Sequence, residues 1–334
     1  MQLVRKAGCV HSERQHHQHC HLNCGSSCAS IAACPGSPAP LRLPDPAMSD
    51  SSFSDGTAVE PALSQAPSLQ TPEATVPPRA AAASSAPVDT NPFADQSDLV
   101  LRPAAERFHS RQGWLDSWHS FSFADHHDPA WMGFGPLRVI NDDRIAAGRG
   151  FGMHPHRDME IVTVMVDGAL DHQDSIGHLS SLRAGEVQRM SAGTGIVHSE
   201  INGTAESCRL LQIWIEPSRR GLTPSYDQRP FPADPGWTLL LDPEGSKGAM
   251  AIQQPVRLWR GRFEAGQSSD LPLDPGARGW LQMISGELEL RVQHSCGTST
   301  GPLRQGDGLG LAAGLGACLT ALQPGADLLC FELP

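Results

Sequence analysis

The sequence predicts an all-β protein: two tandem barrels behind a long unfolded tail. Three observations lead there. Short β-type runs alternate with Gly, Pro and Asp turns, two parts of the chain weakly echo each other, and the first stretch is poor in aromatic residues.

The tail is justified by composition. Residues 35–92 are rich in Pro, Ala and Ser. Such a segment buries too little apolar area to offset the entropy of ordering it. Residues 1–97 are therefore expected to be disordered. Residues 1–47 differ within this tail, being rich in His and Cys. An ordinary start, Met48-Ser49-Asp50, follows them, so the natural chain is expected to begin at Met48 and the upstream residues to come from a misassigned start. Cys20, Cys24 and Cys28 have zinc-like spacing, but no fold is expected around them and they carry no site.

From Leu99 onward the pattern changes. Ile161 to Val166 is a largely β-branched run closed by the turn Asp167-Gly168. Gly185 to Met190 and Leu210 to Ile215 are similar. Many short strands at close spacing indicate a sandwich or barrel. With 33 Gly and 28 Pro, few long helices can form. Gly286 to Leu290 echoes Gly168 to His172, each after an apolar run, and Arg304 to Asp307 echoes Arg183 to Glu186. Two related barrels follow, one over residues 98–229 and one over 230–334, joined near Arg229 to Trp237.

Composition narrows the function. A net charge of -11 argues against nucleic acid or an anionic membrane as partner. No run of about eighteen apolar residues offers a membrane span. The nine cysteines are odd in number and irregularly spaced, which reads as reduced thiols. With no apolar segment of signal-peptide type, a cytoplasmic setting is expected. No Ser-His-Asp, phosphate-loop or dinucleotide motif appears.

The sharpest chemical feature is His154-Pro155-His156 followed by His198-Ser199-Glu200. Residues i and i+2 of a strand share a face, so each pair puts two ligand-capable side chains on one side. Neighbouring strands would make the four converge inside a barrel. Three imidazoles and a carboxylate suit Fe(II), Mn, Co, Ni, Cu or Zn. One His-x-His is weak, since about one is expected by chance in a chain with 15 histidines. The second pair strengthens it, because it follows Ala192-Gly193-Thr194-Gly195, where glycines permit a tight reversal.

The segment from Gly150 to Glu160 resembles the first cupin motif, and Gly185 to His198 resembles the second, with the spacing of pirins. Met132 to Asp143, Gln188 to Glu200, Trp214 to Pro217 and Pro224 to Gln228 are similar to the pirin family. The resemblance runs from about residue 100 to the end. It implies two cupin jelly-roll barrels, with one divalent metal, Fe(II) foremost, held by His154, His156, His198 and Glu200. Some bacterial pirins are quercetin 2,3-dioxygenases. That implies a flavonol and dioxygen as substrates, with Glu200 also accepting the flavonol 3-hydroxyl proton. The resemblance also implies an alternative, an iron-dependent redox-sensing regulator acting on a protein partner in transcription or metabolism.

Other residues are weighed beside these. Glu160 occupies the place of the usual cupin carboxylate ligand and is either a group that orients a ligand or a hydrogen-bonded strand residue. His126 and His127 are expected on a loop near the site mouth. His172 is expected to make a structural hydrogen bond, and Arg157 to pair with Asp158 or rim the pocket. Trp114, Trp118, Phe121 and Phe123 are expected to pack, Cys208 to be a buried thiol. The second barrel has no His-x-His and is expected to lack a metal.

Overall fold

A computed structural model describes residue 93, residues 97–295 and residues 297–334. The expected start at Met48 and the series Cys20, Cys24, Cys28 lie outside the described residues, as does most of the expected tail. Phe93 corrects the tail's expected extent. It is fully buried in the second barrel's core, because one large aromatic supplies the apolar area that the Ala and Ser around it lack.

Among the described residues there is no α-helix, only three short 3-10 turns between strands. Two pairs of sheets make two barrels. In the first, a seven-stranded sheet runs in the order Ser225–Pro230, Glu186–Ser191, Glu160–Asp167, Cys208–Ile215, Leu137–Ile145, Leu115–His119 and Phe108–Arg111. It faces a four-stranded sheet of Gly150–His156, Ile196–Ile201, Ala169–Asp174 and Leu179–Arg183. The second barrel pairs another seven-stranded sheet with the four strands Ser268–Asp270, Gly316–Ala321, Glu287–His294 and Gly297–Arg304. The edge strand Leu99–Arg102 belongs to this second seven-stranded sheet, where it pairs antiparallel with Gly308–Leu311. Residues 99–102 therefore do not join the first barrel, although the expected boundary put them there. Their local pattern suits a strand in either sheet, and only the distant partner decides.

The strands Glu160–Asp167 and Cys208–Ile215 are buried almost throughout rather than on alternate residues. Both faces of their sheet are covered. Ile161, Thr163 and Met165 face the first barrel's interior, while Val162 and Val164 pack against the second barrel with Leu258, Ile284 and Phe331. A continuous apolar run is what a doubly covered strand requires. Polar links cross the same seam. Arg209 makes two hydrogen bonds to Asp142, at 2.8 and 2.9 Å, and a third to the Ile284 carbonyl at 2.9 Å. The Ser120 hydroxyl donates to Gln282 Oε1 at 2.8 Å.

The second barrel's interior is filled with apolar side chains, among them Leu281, Met283, Leu290, Leu303 and Leu328. In the first barrel, one end is closed by Leu115, Ile145, Met165, Leu170 and Leu210. Beyond it, an apolar cluster of Ile161, Met190, Ala192 and Ile196 adjoins the buried polar side chains of Thr163, His198, Glu200 and Gln212.

Candidate metal centre

The strands Gly150–His156 and Ile196–Ile201 are hydrogen-bonded neighbours, with His154 directly opposite His198. The turn before the second strand works as the glycines suggest. Gly193 sits at φ 46°, and a Cβ there would lie 2.0 Å from the Leu222 carbonyl oxygen. Only glycine fits that reversal.

Alternation brings His154, His156 and His198 together. Their ring centroids are 4.4 to 4.9 Å apart, and one ligand atom from each lies within 4.8 Å of the others. The Nδ1–H of His154 donates to the Gly152 carbonyl at 2.8 Å, leaving Nε2 as the lone-pair nitrogen. A backbone carbonyl on the far nitrogen is the usual way a metal-binding histidine is held. His198 is fully buried, and neither ring nitrogen has a hydrogen-bond partner among the described residues. Burial, aided by neighbouring His154, holds His156 at a pKa of about 4. Burial, with His154 and His156 beside it, holds His198 at about 3. Both rings are thus neutral at ordinary pH, the state a metal ligand needs.

Glu200 comes to the same end of the barrel along a different line. The register slips between His198 and Glu200 against the first strand, while on the other side Glu200 faces His172. It therefore groups with His172 and His198, again within 4.8 Å. Gln212 Nε2 donates to Glu200 Oε2 at 2.9 Å, and the Thr163 hydroxyl lies 3.4 Å from Oε1. Burial raises the Glu200 pKa, and the Gln212 hydrogen bond opposes this.

A cavity of about 250 Å³ opens in front of these residues. His154, His156 and Glu200 form one wall, and Phe123, Phe151 and Trp214 supply flat apolar surface. The opposite side is polar, with Ser117, His119, Asn141 and Asp143. Trp214 meets both His156 and Phe123 edge-on, at 5.0 and 5.4 Å. Phe123 thus lines the cavity rather than merely packing, whereas Phe121 packs between the barrels.

The remaining residues sort plainly. Glu160 is fully buried, accepts a hydrogen bond from Ser191 and approaches the Gln253 backbone N–H at 3.4 Å. It sits on the face turned towards the second barrel and orients no ligand. His172 keeps its expected hydrogen bond, Nε2 to Asp174 Oδ2 at 3.1 Å, but its buried Nδ1 has no partner and its ring lies 5.3 Å from that of His198. Arg157 approaches Asp158 at 3.6 Å. Cys208 is buried, and burial pushes its thiol to about 11, so it is no nucleophile. His119, Asn141, Asp143, Thr163 and Gln212 escaped the motif reading. For Thr163 and Gln212 the signal is a lone polar residue inside an apolar run, whereas Asn141 and Asp143 stand in four consecutive polar residues and carry no such mark.

Two jelly-roll barrels in tandem, one with a His and Glu cluster and one filled with leucine, define a bicupin. The Pirin family profile matches residues 102–215, and the profile described as the quercetinase C-terminal cupin domain matches residues 239–333. A quercetin 2,3-dioxygenase of Escherichia coli strain K12 is 48% identical over 193 residues, which is 58% of this chain and 84% of that protein. A pirin-like protein of Caulobacter vibrioides is 42% identical over 182 residues, 53% of this chain and 78% of the relative. Crystal structures of YhhW from Escherichia coli, one of them described as a bacterial pirin in complex with nickel(II), are 42% identical, cover 71% of this chain and 97 to 99% of theirs, and superpose with TM-scores of 0.65 and 0.64. The chain belongs to the pirin family. Among its described residues no helix is long and apolar enough to cross a membrane.

Proposed function

We propose that this pirin is a metal-dependent dioxygenase that opens the heterocyclic ring of a flavonol such as quercetin, with His154, His156, His198 and Glu200 holding one divalent metal ion, Fe(II) foremost among Mn, Co, Ni, Cu and Zn. The observation that carries the reading is His198, a fully buried imidazole with neither nitrogen partnered among the described residues, beside the imidazoles of His154 and His156. An uncompensated buried polar group costs about 1–3 kcal/mol, and a cation removes that cost. The donor set fits such an ion, since three imidazoles and a carboxylate suit the borderline divalent metals.

When bound, the ion supplies a Lewis acid and a template for the flavonol's adjacent hydroxyl and carbonyl oxygens. The chain's residues do the rest. Phe123, Phe151 and Trp214 line the cavity with the flat surface a planar polyphenol needs. Glu200 accepts the 3-hydroxyl proton, and burial, which raises its proton affinity, makes it a stronger base than an exposed carboxylate. Gln212, donating to its Oε2, holds the carboxylate as it changes charge. Ring opening with dioxygen would release carbon monoxide and a depside, a phenolic ester bearing a new carboxylate.

The test is loss of flavonol absorbance with protein loaded in turn with each of these metals. Turnover above the metal-only control, abolished by His198→Ala and strongly reduced by Glu200→Gln, is expected. No turnover with any metal would overturn the reading.

A further inference from the structure

Opposite the imidazole wall a chain of hydrogen bonds leads from the cavity to the protein surface. At the inner end is Asp143, buried yet lining the cavity. The Ser117 hydroxyl donates to its Oδ1 in a short contact. Its other oxygen has no hydrogen-bond partner among the described residues. Ser117 Oγ lies 3.3 Å from His119 Nδ1, which also bonds Asn141 Oδ1 at 2.7 Å. His119 Nε2 lies 2.9 Å from Ser110 Oγ, and Ser110 Oγ lies 3.1 Å from His126 Nε2. His126 is half-buried, next to the exposed His127 on the loop before the site.

The donors can be assigned. Asn141 Oδ1 only accepts, so the His119 proton is on Nδ1, shared between Asn141 and Ser117. Nε2 is then bare and accepts from the Ser110 hydroxyl. Ser110 in turn accepts from His126 Nε2–H. Every donor along the path points inward, towards Asp143. A chain polarised in one direction is a proton wire, and its links polarise one another.

We propose that Asp143 is the proton donor of the cavity, beside the acceptor Glu200, and is refilled from solvent through Ser117, His119, Ser110 and His126. The proposal rests on the flavonol reading above. In the step, the Asp143 carboxyl O–H bond breaks and its proton passes to the carboxylate left by ring opening. Ser117 gives its hydroxyl proton to Asp143 and takes the His119 Nδ1 proton. His119 takes the Ser110 proton at Nε2, Ser110 takes the His126 Nε2 proton, and His126 takes one from water at Nδ1. The substrate's hydroxyl proton leaves Glu200 for solvent when the product departs. One proton enters for each that leaves, as a reaction consuming no net protons requires.

The electrostatics agree. Burial, opposed by the Ser117 hydrogen bond and helped by the charges of Asp142 and Glu200, raises the Asp143 pKa to about 7, so the carboxyl has a proton to give on the acid side of neutrality. Burial lowers the His119 pKa, as do His126, Arg107 and His109 around it, so the ring relays in its neutral form.

Two measurements test this on the full chain. The first needs no turnover. At mildly acidic pH, the infrared difference between wild type and Asp143→Asn is expected to contain a protonated-carboxyl band, and Ser117→Ala is expected to shift it. The second follows flavonol turnover. Asp143→Asn is expected to lower kcat on the order of 10²-fold with little change in KM. Ser110→Ala, which severs the wire beyond His119 and leaves Ser117 on Asp143, is expected to lower kcat roughly tenfold and to recover as imidazole buffer is raised, as general acid–base catalysis by a small carrier allows. A packing defect would not recover in this way. Absence of the band overturns the proposal, as does wild-type kcat in Ser110→Ala. If wild type turns over no flavonol, the dioxygenase reading fails while the infrared band still decides the wire.

Discussion

Replacing His198 by leucine separates the cost of the imidazole cluster from its use. His198 is fully buried, and its two ring nitrogens have no partner among the described residues. Each carries a desolvation cost of about 1–3 kcal/mol. Leucine removes both, while its different shape against His154 and His156 costs about 1–3 kcal/mol in repacking. The net expectation is that metal-free His198→Leu is more stable than metal-free wild type by about 1–3 kcal/mol. For a folded region of this size each kcal/mol moves Tm by about 2–4 °C, so the midpoint should rise by roughly 2–12 °C. Added metal reverses the order. At a hundredfold excess over Kd it stabilises wild type by about 2.7 kcal/mol through mass action and leaves the variant unchanged. The assay is thermal unfolding of both proteins after chelation, with and without nickel(II) or Fe(II). The reasoning is refuted if chelated His198→Leu melts below chelated wild type, or if metal raises both midpoints equally.

Two further predictions concern stability. In the metal-free protein, unfolded Asp143 ionises near 3.8 and folded Asp143 near 7. As pH rises through that window the unfolded state releases its proton first, so the buried carboxyl's contribution is lost, by on the order of 4 kcal/mol once both states are ionised. Asp143→Asn removes this dependence, so urea unfolding from acid to alkaline pH should show the variant gaining on wild type across the window, and parallel curves would count against it. Arg209→Met leaves Asp142 buried, its remaining ion-pair partner being Arg107 at 3.8 Å. The expected loss is about 3–5 kcal/mol, with most of it recovered by adding Asp142→Leu; urea midpoints at neutral pH measure both.

What could be read from the chain follows from the range of each interaction. The pairing of His154 with His156 and of His198 with Glu200 on shared faces needs only strand alternation, and Gly193 announced the turn from Glu186–Ser191 into Ile196–Ile201. Glu160 shows the limit. Its spacing from the histidines matches a ligand, but it lies on the even-numbered face with Val162 and Val164, and whether that face meets a cavity or a second barrel is set by residues such as Gln253 nearly a hundred positions away. The polar wall was equally hidden. Ser117, His119, Asn141 and Asp143 come from two strands whose pairing, Ser117 opposite Asp143 and His119 opposite Asn141, is a register rather than a motif. The double burial of Glu160–Asp167 was visible as an unbroken apolar run, without a hint of what covered it.

The first described strand, Leu99–Arg102, is stitched to Gly308–Leu311, and between them the chain builds one whole barrel and most of another. A ribosome makes these residues early and must make some two hundred more before their partner exists. Until then the strand and buried Phe93 have nothing to join. Residues 230–334 cut out alone would leave a raw sheet edge along Gly308–Leu311, ready to recruit an unrelated strand. The strand thus acts as a clasp whose other half is made some two hundred residues later.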